Sequence, residues 1–75
     1  MTISEAAARV MQLCQQNGRM PETLPISRSE AISLTDEWRQ TIPLEHQERA
    51  RACVARFFCG EETLQIMGAK VLIVE

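Results

Sequence analysis

The side chains that could do chemistry are few and widely separated. His46 is the only histidine, and the three cysteines stand at Cys14, Cys53 and Cys59. Nucleophilic catalysis needs a nucleophile, a base and an orienting acid within mutual reach, and here all of it would have to be assembled around His46. That residue falls among Glu45, Gln47 and Glu48 near a helix start, a solvated setting, so it reads as a surface residue and no catalytic residue is assigned. Metal chemistry fares no better. His46 and Cys53 could share a helix face, but no pair has the close C-x-x-C or H-x-x-x-H spacing of a structural zinc site. Cys14 and Cys53 read as small core residues and Cys59 as a helix-end residue. The glycines are scattered, which leaves no loop able to cradle a phosphate. No metal and no cofactor is expected.

Arginine supplies the one charged constellation. Arg49, Arg51 and Arg56 put three positive charges on one helix with no acid between them, and the proline break before that helix has the look of a helix-turn-helix corner. These three residues are the candidates for a nucleic-acid contact. Against that reading, arginine late in a helix also complements the helix dipole. The whole chain carries a net charge of -2, where a dedicated DNA binder shows a basic footprint. With no tyrosine, two phenylalanines and one tryptophan, there is also no base-stacking platform.

Four segments must position these groups. A first helix is expected over Ser4 to Gln16: Thr2 and Glu5 have the capping-box spacing, and Ile3, Ala6, Ala7, Val10, Leu13 and Cys14 recur at helical intervals. Asn17-Gly18 stops it. Pro21 and Pro25 then keep residues 19–26 extended, and Leu24 and Ile26 flank Pro25 in a pattern that suits a short edge strand near residues 23–26, with the proline nitrogen turned away from the sheet. Ser27 and Glu30 form a second capping box. It opens a helix that carries Ala31, Leu34, Thr35, Trp38 and Ile42 on one face and turns Arg28, Asp36 and Arg39 toward water. Pro43 ends that helix and is well suited to the first position of the next. This third helix is expected over Leu44 to Cys59, with Ala50, Cys53, Val54, Phe57 and Phe58 as its core stripe, a Glu45–Arg49 surface pair, and Gly60 as its stop.

The last segment reads as a hairpin. A two-residue Gly68-Ala69 loop of type II′ sets Met67 opposite Lys70, Ile66 opposite Val71, Gln65 opposite Leu72 and Leu64 opposite Ile73. Leu64, Ile66, Val71 and Ile73 then share one face, and a pairing slip of one residue would break the match. Leu72 and Val74 point the other way, alongside Met67, Gln65 and Thr63. Either a helix crosses over that second face, or it is an apolar patch for another chain, or it holds two scattered surface aliphatics. A last strand ending at Glu75 also offers free backbone groups to a partner's edge.

Length bounds the rest. Seventy-five residues, 45% hydrophobic and 24% charged, make a single small domain spanning residues 1–75, with enough apolar surface to collapse and little interior to spare. An odd cysteine count without paired spacing argues against the disulfide framework of a secreted protein. Glu5 and the absence of a long apolar run argue against an export signal or a membrane span. A cytoplasmic setting is therefore expected, with no membrane and no evident small-molecule substrate.

The order of these segments, from the Leu24-Pro25-Ile26-Ser27 lead-in through the Trp38 helix and the arginine-rich helix to Ile66-Met67-Gly68-Ala69-Lys70-Val71, resembles the small uncharacterised proteins encoded by phages and prophages of enteric bacteria. The resemblance covers most of residues 20–75 and rests on size, order and texture. It implies a habit of binding host or phage proteins, and it transfers no site residue. The expected protein is thus an α+β domain, three helices packed on a C-terminal antiparallel hairpin, acting as a non-catalytic protein-binding module. A protein partner or a homodimer would be engaged through a sheet face or edge strand by Met67, Leu72 and Val74, with Gln65 and Lys70 at the rim. The alternative is a small nucleic-acid-binding regulator using Arg49, Arg51 and Arg56.

Overall fold

The computed structural model describes residues 1–74. In chain order it comprises α1 (Ile3–Asn17), β1 (Thr23–Ile26), α2 (Arg28–Gln40), a 3-10 turn (Leu44–His46), α3 (Gln47–Phe58), β2 (Gln65–Ile66) and β3 (Ala69–Ile73). Both expected capping boxes are formed. Thr2 Oγ1 accepts from the Glu5 amide while Glu5 Oε1 accepts from the Thr2 amide, and Ser27 and Glu30 repeat the exchange at the start of α2. Gly18 closes α1 in the left-handed conformation, φ 73°, and donates its amide to the Cys14 carbonyl. A side chain at that position would be strained.

The architecture is α+β, with the three helices packed against a three-stranded mixed sheet of order β1-β3-β2. The strand around Pro25 exists and runs parallel to β3, pairing Leu24 with Val71 and Ile26 with Ile73. Glu22 and Ile26 accept from the Lys70 and Val74 amides. Carbonyls alternate sides along a strand, so the Pro25 nitrogen faces outward, where a missing donor costs nothing. The last strand is paired by β1 along Lys70–Ile73 and by β2 at Ala69 and Lys70, with the Val71 amide reaching the Leu64 carbonyl, so past Val71 its second edge has no strand partner among the described residues. Glu75, the end of the expected strand, lies outside the described residues.

The hairpin turn sits one position earlier than expected. Its central residues are Met67, φ 51°, and Gly68, φ 85°, both positive as a type I′ turn requires. Ile66 pairs with Ala69 and Gln65 with Lys70, and Leu64 accepts from the Val71 amide. Moving a two-residue turn by one position shifts every pairing by two, which preserves the faces. Leu64, Ile66, Val71 and Ile73 still share the inner face, now joined by fully buried Ala69. Met67 moves from the sheet onto the turn.

The third helix also begins later than its pattern predicts. Pro43 has an extended ψ of 148° and accepts from the His46 amide three residues on, a 3-10 closure that delays α3 to Gln47. Pro43 thus precedes the turn instead of occupying a first helical position.

The core draws on every layer: Ala6 and Val10 of α1, Ala31 and Leu34 of α2, and Phe57 of α3 meet Leu24, Ile26, Ala69 and Val71 of the sheet. Thr35 is the one buried polar residue among those described. Its hydroxyl donates to the carbonyls of Ala31 and Ile32, so its burial leaves no orphan donor.

Candidate functional site

Period-two alternation sends Leu24, Ile26, Ala69 and Val71 inward and leaves Thr23, Pro25, Lys70 and Leu72 outward. In the observed register Thr23, Lys70 and Gln65 form one cross-strand row, and Pro25 pairs with Leu72 in the next. All five are exposed. The outer face is uncovered among the described residues, because α1, α2 and α3 all contribute to the core on the opposite side. Leu72 and Val74 are 47% and 49% exposed, and Met67 is 50% exposed at the turn. Gln65 lies across from Lys70, not across from Leu72 as the expected register had it.

Sequence reasoning missed how this face continues. Thr23 and Pro25 also border a trough of about 680 Å³ that runs between the end of α1 and the connector before β1, where Leu13, Met20 and Pro21 line its walls. Met20 is another exposed large apolar residue. The exposed Met20 in a proline-flanked connector was the available signal.

The three arginines do not border one depression. Arg49 and Arg56 lie seven residues apart, two turns along one side of α3. They border a shallow groove of about 320 Å³ between α2 and α3. Arg51 projects to the other side, where it shares a separate depression with Asp36, Arg39, Gln40 and Gln47. In that second depression the Asp36 carboxylate accepts from Arg39 at 2.8 Å, and Arg39 Nε is buried without a hydrogen-bond partner.

Glu62, unremarked in the sequence, organises the far end of the first groove. Its Oε1 lies 2.8 Å from Arg56 Nε, and its Oε2 accepts from the Cys53 thiol at 3.0 Å. The thiol and then the guanidinium hold the Glu62 carboxyl below its ordinary range. The same hydrogen bond, with some burial, pushes the Cys53 thiol up. Cys53 is thus kept protonated, the opposite of what a nucleophilic thiolate requires.

His46 is exposed, with Nε2 3.6 Å from Glu45 Oε1. Glu45 therefore meets His46 and not the expected Arg49. Among the described residues no three His, Cys, Asp or Glu side chains are grouped as metal ligands. Cys14 and Cys53 are half-buried, Cys59 is exposed, and all three are free. Arg28 is exposed, as expected, and its guanidinium also lies over the Phe58 ring at 5.5 Å. No helix of the described residues is long and apolar enough to cross a membrane.

Comparison with protein-family models, curated proteins and solved structures found no match.

The candidate site is accordingly a surface. Its open sheet face offers aliphatic side chains at one end and a single cation, Lys70, toward the turn end. Pro25 blunts edge pairing along β1, whereas the β3 edge past Val71 has no strand partner among the described residues.

Proposed function

We propose that the chain is a non-catalytic protein-binding accessory module, of the kind carried by phages and prophages, that works through the outer face of its sheet and takes the same face of a second copy as its occupant. The observation that carries this reading is the uncovered row of Pro25, Leu72 and Val74 on a sheet whose helices all lie on the other side. Two further features support it. The buried hydrophobic core is small and four of its members are alanine, Ala6, Ala31, Ala50 and Ala69, and a small domain with such a core gains from association. The face is also self-complementary: a two-fold axis near Leu72 and Val74 joins the apolar ends and keeps the two Lys70 ammonium groups at opposite rims. Three free cysteines suit a reducing compartment, and the cytoplasm is the setting proposed.

The test is sedimentation of the native chain beside the Leu72→Glu/Val74→Glu double variant, with circular dichroism to check folding. A native dimer that the folded variant loses supports the reading. A native monomer excludes the second copy as occupant. If the variant is then also unchanged in stability and in capture of a larger partner, the sheet face is not an interface.

The alternative, a nucleic-acid-binding regulator, draws on Arg49 and Arg56, which share one side of α3. It is weakened by the separate placement of Arg51 and by the Glu62 carboxylate on Arg56. It requires affinity for DNA or RNA that falls steeply with salt and weakens on charge reversal at Arg49.

A further inference from the structure

The groove between α2 and α3 is apolar at its floor and cationic at its rim. Trp38 and Ile42 of the α2 side face Ala50 and Cys53 of α3 across it, and His46, Arg49 and Arg56 stand along its margin. Trp38 and Ile42 are half-buried, so each retains surface that an occupant would cover. Tryptophan and arginine are also the residue types that dominate binding energy at protein interfaces.

We infer that this groove receives an amphipathic helix whose apolar stripe is flanked by carboxylates. The molecule holds its own precedent. At the Arg56 end Glu62 places a carboxylate between the guanidinium and the Cys53 thiol, with contacts of 2.8 and 3.0 Å. Arg49 stands two turns back, roughly 10 Å along the helix axis, and has no ion-pair partner among the described residues. A carboxylate at Arg49 repeats the contact that Glu62 already makes at Arg56, while an aliphatic side chain between the two positions covers Ala50, Cys53 and the Trp38 edge. The groove is shallow and long, which suits a helix laid along it and not an enclosed small molecule.

A protein helix fits better than nucleic acid here. A phosphate backbone has no apolar surface to lay on Trp38 and Ile42 and would leave that floor uncovered. The inference does not depend on the sheet face, which lies across the core.

Trp38 is the only tryptophan and the chain has no tyrosine, so intrinsic fluorescence reports on the groove directly. Three helical peptides with one leucine stripe and glutamate, glutamine or lysine flanks are titrated into the native chain and into Arg49→Glu. The expected result is a saturable change in Trp38 emission, with the glutamate peptide binding about ten-fold or more tighter than the lysine peptide, a difference of about 1.4 kcal/mol. Arg49→Glu reverses that order, and Leu72→Glu/Val74→Glu leaves it intact. Absence of a saturable change with all three peptides overturns the inference. So does binding that ignores the flanking charge, or a preference unchanged in Arg49→Glu. A duplex DNA oligonucleotide that displaces the glutamate peptide at equal or lower concentration overturns it in favour of nucleic acid.

Discussion

Glu30 and Arg9 meet at 3.0 Å, tying the cap of α2 to the flank of α1 across twenty-one residues of sequence. The other oxygen of the same carboxylate accepts from the Ser27 amide at 2.9 Å. One side chain thus closes a helix terminus and joins two helices. The Ser27 backbone hydrogen bond, reinforced by the Arg9 guanidinium, lowers the Glu30 pKa from 4.5 to about 2.

That shift fixes a pH dependence. A carboxyl whose pKa is depressed by folding stabilises the native state above its unfolded value, and the contribution fades as pH falls through the folded value. Glu30→Gln is expected to lower the melting temperature at neutral pH, with the difference from the native chain shrinking between pH 4.5 and about 2. Thermal melts across that range check it. A difference that stays constant with pH would show that the carboxylate charge is not what matters.

The hairpin turn holds a removable strain. Met67 has φ 51° without being glycine, and a type I′ turn favours asparagine at that position. Met67→Asn is expected to stabilise by about 1 kcal/mol, and Gly68→Ala to destabilise by a similar amount, about 1 kcal/mol, since left-handed backbone is costly for residues with a Cβ. A Cβ on Gly68 meets nothing within 4 Å, so the cost there is conformational and not a clash. Urea denaturation separates the two signs, and the opposite pattern would exclude this turn.

Gln47 splices two helices. Its Nε2 donates to the carbonyls of Arg39 and Ile42, each at 2.7 Å, adding a donor to the Arg39 carbonyl, which also accepts from the Ile42 amide, at the end of α2 where backbone acceptors lack helical partners. Gln47→Ala is expected to cost about 1 kcal/mol. Gln47→Glu keeps the size but loses the donor, so it is expected to cost at least as much. If Gln47→Glu is neutral in chemical denaturation, the splice is not hydrogen-bonded.

Two leucines should behave oppositely. Leu24 is fully buried and Leu44 is 91% exposed. Leu24→Ala is expected to destabilise by about 2–5 kcal/mol through the cavity it opens. Leu44→Ala is expected to stay within about 0.5 kcal/mol. Comparable losses from both would mean that Leu44 is covered in solution.

What the sequence determined by itself was whatever depends on near neighbours. Thr2 with Glu5 and Ser27 with Glu30 announced the helix starts because capping joins residues three apart. Gly18 announced the end of α1 because left-handed backbone is a local demand. The inward set Leu64, Ile66, Val71 and Ile73 was legible because side chains alternate along a strand wherever the turn falls. The outward direction of Leu72 and Val74 followed from the same alternation. The tertiary structure alone decided the rest, because those outcomes are set between distant residues. Pairing of Thr23–Ile26 with Lys70–Ile73 gave the last strand a neighbour on the side away from β2. The Gln47 amide and the Pro43 carbonyl fixed where α3 begins. The side of the sheet taken by the helices left Leu72 and Val74 open, and the packing of α2 on α3 sorted Arg49 and Arg56 from Arg51. A pattern along the chain states which side chains share a face. What covers that face is settled only when the whole core competes for a limited amount of apolar surface.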